Sequence, residues 1–400
     1  MYGIRVNSIS SVIQSNNKES LERNCKTLNR KIMKTKNLFG FLFGIMIVGL
    51  IISCENNDEI VFPEDSILPE NFKVDIPSAL SRQGTANGRI AVDTLDGNLI
   101  YVHLTNFIFT GEEAAEIVQD IIRGIVIYRI NRPMALSFEG EEDGRTKNLV
   151  VLENSFFDGE NWEFQLTITD AASEVNADGG KAIQIFWNRN PIKGIAVLKP
   201  YNIDRTHDAE LEQAIFRIDY SEAGEHGYEA HMIVQAADLP LEEPLDNPYS
   251  MSALKMFVGK NGDIIDVYGN SDHPNAIFFS GQAGFNWAFV ASGDDVQNIG
   301  AAEVGLPPSN LDEPSRTVIL GDYAIKNVFT DEIYSVWPNI DPQVVEAYLY
   351  NTDAPGFFSQ SGFVSGGTSP GPEYDNLVLR LPDLNPYNPK EIATLAISFK

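Results

Sequence analysis

The stretch Trp162-Glu163-Phe164-Gln165-Leu166-Thr167-Ile168-Thr169 decides the fold class of this chain. Apolar and polar residues alternate in it with a period of two. Because successive side chains of a β-strand point to opposite faces, this pattern predicts a strand with one face on a core and the other in water. The same alternation recurs in residues 216–220, 228–234 and 393–399. These segments predict further strands, and 393–399 predicts the last one.

Short turns, and not helices, separate the predicted strands. Asn261-Gly262 lies between the apolar runs 254–258 and 264–268, which is a strong hairpin signal. A second hairpin is expected from 277–279 and 287–290. Parallel neighbours would need a crossover helix between each pair, so the sheet is predicted to be antiparallel.

One long helix is predicted at about residues 111–130. Thr110 and Glu113 have the spacing of a capping box, and Asn131 and Pro133 follow the last periodic position. The apolar face has members at i, i+3 and i+4 spacing: Ile117, Val118, Ile121, Ile122, Ile125 and Tyr128. A short second helix is expected to open at Asp341-Pro342 and run to Tyr350.

These elements predict an α+β, β-rich fold, with antiparallel sheets packed on one main helix as a sandwich or a curved half-barrel. Residues 239–248 hold three prolines, which cannot pair inside a central strand, and mark the best domain boundary. The predicted regions are therefore 73–238 and 249–400. One continuous domain across both regions is the alternative.

The N-terminal 54 residues have the layout of a secretory signal. A cationic head, Met33-Lys34-Thr35-Lys36-Asn37, precedes 16 residues without a charge, and Ser53 stands directly before Cys54. The apolar run is short for a membrane span, which takes about 20 residues. Ile51-Ile52-Ser53-Cys54 resembles the lipobox of bacterial lipoprotein precursors. That resemblance implies lipidation of Cys54, removal of residues 1–53 and attachment to a membrane. An uncleaved N-terminal anchor helix is the alternative, and Met33 is a candidate for the true start.

Residues 54–72 are predicted to form an extended acidic tether, since Pro63 and Pro69 disfavour regular structure. Its first residues, Glu55-Asn56-Asn57-Asp58-Glu59, resemble the export signal that carries lipoproteins to the outside of the outer membrane in one group of Gram-negative bacteria. A solvated spacer without a sorting role is the alternative interpretation.

The charge balance narrows the possible partners. The chain has 29 basic and 56 acidic residues, and the leader holds eight basic and two acidic ones, so the remainder has a net charge of 21 − 54 = −33. A field of this sign repels nucleic acid, so we expect no nucleic-acid partner. A membrane contact through the lipid, and a protein or glycan partner, remain the expected associations.

The sequence contains no recognisable catalytic or cofactor motif. The two cysteines are Cys25 in the leader and Cys54, which excludes a disulfide in the exported part. His226 and His231 are five apart on a predicted strand and should face opposite sides. His207 and Glu210 could chelate only on a helix that is not evident. Asp93, Asp96 and Asn98 around Gly97 fit a turn better than a calcium site. We therefore predict no metal ligand, no catalytic residue and no cofactor.

Trp187, Arg189 and Tyr201 are the candidate ligand-binding residues. They belong to two local clusters, Trp187-Asn188-Arg189-Asn190-Pro191 and Lys199-Pro200-Tyr201-Asn202. A flat ring can stack on a sugar or a side chain, while amide and guanidinium groups fix its orientation. A core tryptophan at a strand end beside a turn is the alternative.

Three functions follow from these observations. The first is a lipid-anchored exported binding protein of the outer membrane, with exposure on the cell surface as one alternative for its orientation. The second is a carrier of lipid or another hydrophobic ligand, which predicts a large apolar cavity. The third is a polysaccharide-active hydrolase, which predicts two carboxylates about 5–10 Å apart in a cleft.

Overall fold

A computed structural model describes residues 65–83, 97–140, 143–206, 211–242, 249–277 and 283–400. Residues Asn57–Lys400 form one compact unit. The predicted signal, Cys54 and most of the predicted tether lie outside the described residues, as do Asp93, Asp96, His207 and Glu210.

One antiparallel sheet of thirteen strands dominates the described part of the chain, and its strands follow each other in chain order. β1 pairs only with β2, and β13 only with β12, so the sheet is open. The strands are β1 Met134–Glu139, β2 Thr146–Phe157, β3 Glu160–Asp170, β4 Lys181–Arg189, β5 Ile192–Leu198, β6 Ile215–Ser221, β7 Ala230–Ala237, β8 Ala253–Asn261, β9 Ile264–Ile277, β10 Ala283–Asp294, β11 Ile299–Gly305, β12 Gly356–Ser359 and β13 Gly362–Gly366.

The β-rich α+β class and the antiparallel pairing are confirmed. Asn261 pairs with Ile264 across the predicted turn, and Gly262 has the positive φ of 60° that such a tight turn requires. β9 and β10 form the second predicted hairpin with longer strands than expected. Across residues 239–248, Ala236 of β7 pairs with Leu254 of β8, so the sheet continues past the proline-rich segment.

The described residues contain six α-helices instead of one main helix and a short second one. They are α1 Gly97–Ile125, α2 Pro200–Ile203, α3 Ile325–Val336, α4 Pro342–Tyr348, α5 Asp375–Arg380 and α6 Pro389–Ala393, and a π-helical turn spans Thr317–Asp322. The predicted helix opening at Asp341-Pro342 corresponds to α4. Asp341 caps it, because its Oδ1 accepts the Gln343 N–H at 2.9 Å.

The predicted start of the long helix was wrong. Thr110 lies inside α1, where its hydroxyl donates to the Asn106 carbonyl at 2.9 Å, so it caps nothing. Threonine can form this bond within a helix, and sequence alone does not separate the two roles. The buried face also continues toward the N-terminus through Ile100, Tyr101, Leu104, Phe107 and Ile108. The helix ends at Ile125, after which a 3-10 turn covers Val126–Tyr128.

One face of the sheet is covered by α1. The ring centroids of Phe107 in α1 and Trp287 in β10 lie 5.4 Å apart in an edge-to-face contact. Nearer the start of α1, the ring centroids of Tyr101 and Phe358 are 5.7 Å apart. At Gly111 a Cβ atom would stand 2.5 Å from the Met256 methyl group of β8, so glycine permits a close approach of helix and sheet there.

Residues 65–83 form a strap that is held by α1 and the sheet. The Phe72 N–H donates to Gln119 Oε1 at 2.7 Å, and the Trp187 indole N–H donates to the Ile67 carbonyl at 2.7 Å. Ile67, Leu68 and Phe72 are at most 5% exposed. The final part of the predicted tether therefore belongs to the folded body, because its apolar side chains find cover in this layer.

The opposite face of the sheet is covered by the C-terminal residues. Tyr374, Leu377, Leu381 and Leu384 pack against β10 and β11. The predicted last strand at 393–399 was wrong, because this segment pairs with no strand. Its alternating apolar residues still pack on one cluster of the sheet: Leu395, Ile397 and Phe399. The alternating pattern of residues 393–399 thus predicted correctly which side of the segment is buried, but it did not show whether the backbone pairs with a strand.

Gly194 of β5 provides a test of the strap. A Cβ atom there would stand 2.6 Å from the Phe186 carbonyl oxygen and 2.7 Å from the Phe72 ring. We expect Gly194→Ala to lower the free energy of unfolding by about 1–3 kcal/mol through overpacking. Gly124→Ala is the matched control, because nothing lies within 4 Å of its added methyl group. In a helix that change should stabilise by up to about 1 kcal/mol. Urea unfolding measures both, and equal effects would contradict the packing.

Glu113 on α1 makes stability depend on pH. Burial, and then the neighbouring Glu112 and Glu116 carboxylates, raise the pKa of Glu113 from 4.5 to about 7. The folded state thus holds this proton more tightly than the unfolded state, and stability falls as pH rises from about 4.5 to about 7. At pH 8 we expect the free energy of unfolding of Glu113→Gln to exceed that of the wild type by about 1 kcal/mol, after allowance for solvent screening. Urea unfolding at pH 8 measures this difference, with the exposed Glu153→Gln as the control.

Candidate binding surface

Trp187 lies in the core and offers no surface to a ligand. Its side chain is 0% exposed, and its ring stacks on Phe164 of β3 with the centroids 5.4 Å apart. Its indole N–H is already bonded to the strap at Ile67. Trp187 is thus a core tryptophan near the end of a strand, which was the alternative to a ligand-binding role.

Arg189 lies at the exposed end of the same stack. Its guanidinium carbon is 5.0 Å from the Phe164 ring centroid, and its Nε is 3.1 Å from the Glu163 carboxylate. The structure thus brings Arg189 and Trp187 together, since both contact the Phe164 ring. Both charged groups are about half exposed, so the ion pair contributes little to stability.

Tyr201 lies at the other end of β4. It belongs to α2, and Lys199 just before it donates its N–H to the Ala182 carbonyl at 2.8 Å. Seven residues separate Ala182 from Arg189 along the strand, which is about 23 Å. The Arg205 guanidinium carbon lies 4.2 Å from the Tyr201 ring centroid. The predicted group of three is therefore split between two ends of the sheet.

Next to Tyr201 lies a buried charge network. Arg145 donates to both carboxylate oxygens of Asp170, at 3.0 and 2.6 Å, and Lys147 Nζ is 2.9 Å from Asp143 Oδ2. Burial acts to raise the pKa of Asp170, but the hydrogen bonds from Arg145 and Ser173 lower it below its usual range. Each of these four charged side chains has a partner of opposite sign, so they stabilise one another at this end of the sheet.

Ser271 and His273 of β9 form a serine–histidine pair. The Ser271 hydroxyl is 2.7 Å from His273 Nε2, and the other ring nitrogen donates to the Tyr249 carbonyl at 3.0 Å. Burial lowers the pKa of His273 to about 3, so its ring stays neutral at ordinary pH. Both side chains are 0% exposed. No substrate can reach the hydroxyl, and the pair acts as a satisfied core contact.

The prediction that His226 and His231 face opposite sides of a strand was wrong. Their ring centroids are 4.9 Å apart, because His226 lies in a 3-10 turn before β7 with a φ of 57°. Within the part of the chain that the structure describes, no three His, Cys, Asp or Glu side chains are placed to hold a metal ion.

Two exposed aromatic residues of the described ranges belong to the helical pair α3–α4. Trp337 is 51% exposed and Tyr350 is 70% exposed, while Val344 between them is 54% exposed. The pair is fixed from below, since Ile333 of α3 and Val345 of α4 are buried. We call the exposed side of residues 336–350 the α3–α4 surface.

Two open grooves run along the α3–α4 surface. One has a volume of about 550 Å³ and is lined by Val336, Trp337, Pro338, Asn339 and Ile340. The other has a volume of about 650 Å³ and runs along α4, where Gln343, Ala347 and Tyr350 share one side with the Ser365 and Thr368 loop. An aromatic ring beside amide and hydroxyl groups is suited to bind either a side chain or a sugar.

The charge of the α3–α4 pair is negative. Residues 325–353 contain one lysine and five acidic residues, giving 1 − 5 = −4. The lysine, Lys326, lies 3.0 Å from both Glu346 and Asp353. This surface was not predicted from the sequence, because no hydrophobic periodicity marks Trp337 and Tyr350 as exposed. The available signal was a tryptophan followed by a proline, Trp337-Pro338.

The helix α1 separates the α3–α4 pair from the start of the strap. Near its beginning, the Tyr101 hydroxyl donates to the Asp353 carbonyl at 3.4 Å. Just after its end, the Ile130 carbonyl accepts the Ile67 N–H at 3.1 Å. The 24 residues from Tyr101 to Ile125 span about 36 Å of helix. The α3–α4 surface and the start of the folded body are therefore at opposite ends of α1.

None of the helices in the described ranges has the length and apolar character needed to cross a membrane. No protein-family model, curated protein or solved structure matches this chain.

Two tryptophans provide a matched test of core against surface. Trp187→Ala should lower the free energy of unfolding by about 3–5 kcal/mol, because a fully buried ring and its hydrogen bond are lost. Trp337→Ala should change it by no more than about 0.5 kcal/mol, since half of that ring is already in water. Guanidinium unfolding followed by circular dichroism measures both. Comparable losses of unfolding free energy in the two variants would show that Trp337 is a core residue and would refute its place on a binding surface.

Proposed function

We propose that this chain is a lipid-anchored, exported binding protein of the outer membrane that faces the cell exterior. The Ile51-Ile52-Ser53-Cys54 motif carries this proposal. Cys54 holds the lipid, and the α3–α4 surface binds a protein or glycan partner. The open sheet supplies a rigid frame between the two. Its finer shape, a half-barrel curved around α1, is part of the proposal.

The position of Cys54 supports the anchor. Eleven residues lead from Cys54 to Asp65, where the described body begins. Fully extended, they reach at most about 40 Å. A lipid on Cys54 would therefore keep the body close to the bilayer, with the α3–α4 surface at the end of α1 that lies away from it.

The composition of the α3–α4 surface supports a binding role. Tryptophan and tyrosine are the residues most enriched where binding energy concentrates, because a large rigid ring loses little conformational freedom. Trp337 and Tyr350 are exposed on a helical pair whose other side is fixed in the fold.

The hydrolase alternative has less support. Glu346 and Asp353 are close together in the groove, but both are paired with Lys326 and are 70% and 50% exposed. A glycosidase acid needs a desolvated site that keeps it protonated. The carrier alternative has less support as well, because the sheet face that would line a cavity is occupied by α1 and the strap.

The anchor is tested by metabolic labelling with radioactive palmitate in a bacterial host that processes lipoproteins. Label should enter the wild-type chain and be absent from Cys54→Ala. Incorporation that is equal in both chains, or absent from both, would refute the lipid anchor.

The binding role is tested by crosslinking in intact cells. Trp337→Ala combined with Tyr350→Ala should reduce recovery of a crosslinked partner at least fivefold. Leu379→Ala is the control, since that side chain is 73% exposed on α5, away from the surface. Equal recovery from the double variant and the control would refute a role for the α3–α4 surface.

A further inference from the structure

A basic segment lies on the otherwise acidic body. Residues 121–138 contain three arginines and no acidic residue, in a chain whose net charge is −27. Arg123 is paired with Glu116 and Asp120. Arg129 and Arg132 are exposed, and neither guanidinium forms an ion pair or hydrogen bond with the described part of the chain. Two unpaired arginines are unusual here, because most basic side chains of the described residues have a carboxylate partner.

These arginines lie at the start of the strap. The Ile67 N–H donates to the Ile130 carbonyl at 3.1 Å, and Asn131 Nδ2 donates to the Asp65 carboxylate at 2.6 Å. Residues 129–132 are thus fixed beside the point where the chain from Cys54 enters the fold. Ile127, one turn earlier, is 75% exposed. An exposed isoleucine followed by two unpaired arginines therefore lies beside the point where the chain from Cys54 enters the fold.

We propose that Ile127, Arg129 and Arg132 form a membrane-facing patch that binds the phosphate head groups of the bilayer holding Cys54. This inference rests on the lipid anchor proposed above. Guanidinium groups bind phosphate oxygens with two parallel hydrogen bonds. The Ile127 side chain adds an apolar contact at the level of the head groups.

Charge and reach both favour this occupant. Anionic lipid repels the acidic faces of the body, so this basic face is favoured to approach such a surface. A second copy of the chain is disfavoured by the same charge. The span from Cys54 to Asp65 is at most about 40 Å, which keeps the patch near the bilayer at all times. The patch thereby fixes α1 with its C-terminal end toward the membrane.

The test uses the lipidated chain, extracted and reconstituted into vesicles. Ile127→Cys and Val296→Cys give matched probes, since both side chains are 75% exposed and the processed chain has no other free thiol. Each is labelled with a donor dye, and the vesicles hold an acceptor dye on their head groups. Phosphatidylcholine vesicles are compared with vesicles that also contain phosphatidylglycerol.

We expect stronger energy transfer from position 127 than from position 296, and a further rise with phosphatidylglycerol. Arg129→Glu with Arg132→Glu should lower the docking equilibrium constant at least about thirtyfold, since two arginines near an anionic surface contribute on the order of 1 kcal/mol each. Arg82→Glu with Lys260→Glu is the control of equal charge and should leave the transfer from position 127 above that from position 296.

Three results would overturn the proposal. One is equal transfer from the two positions, and another is transfer from position 127 that the Arg129 and Arg132 reversals leave unchanged. The third is failure of the wild-type chain to float with vesicles, which refutes the lipid anchor and this inference with it. Flotation with equal transfer refutes the patch alone. Circular dichroism of each variant confirms that it is folded.

Discussion

The burial of α1 between the strap and the sheet is the constraint on which the other layers depend. Gln119, only 1% exposed, connects them: its Oε1 accepts the Phe72 N–H at 2.7 Å, and its Nε2 donates to the Glu70 carbonyl at 3.0 Å. A buried amide that lost either bond would leave a polar group without a partner. The strap therefore cannot leave without exposing α1, and α1 cannot move without breaking the strap.

The length of α1 determines how far apart the two ends of this layer lie. A helix rises about 1.5 Å per residue, so the ends of α1 are held far apart by backbone hydrogen bonds alone. One end meets Asp353 below the α3–α4 surface, and the other leads to Ile130 beside the strap. An anchor and a binding surface placed at these ends cannot collapse onto each other. The proposed orientation follows from that rigidity.

Buried and exposed carboxylates differ in whether they have a partner. Asp266 is 1% exposed, but Tyr228 and Ser292 each donate to it at 2.8 Å, and Arg380 of α5 binds both of its oxygens. Such a pair contributes less than its Coulomb energy because both charges were desolvated, although removal of one partner is costly. The pair therefore fixes α5 on the sheet. On the surface the excess of carboxylates is unpaired, which makes the exposed Arg129 and Arg132 distinctive.

The sequence by itself determined the class of fold. Alternation with period two specified the antiparallel strands, and Asn261-Gly262 specified a hairpin, because both depend on neighbouring residues alone. It could not place the start of α1, since the Thr110 hydroxyl bonds equally well as a cap or inside a helix. It grouped Trp187 with Tyr201 although the length of β4 separates them, and it missed the exposed Trp337. Exposure and proximity are decided by which elements pack together, and those contacts join residues far apart in the chain, where no local pattern records them.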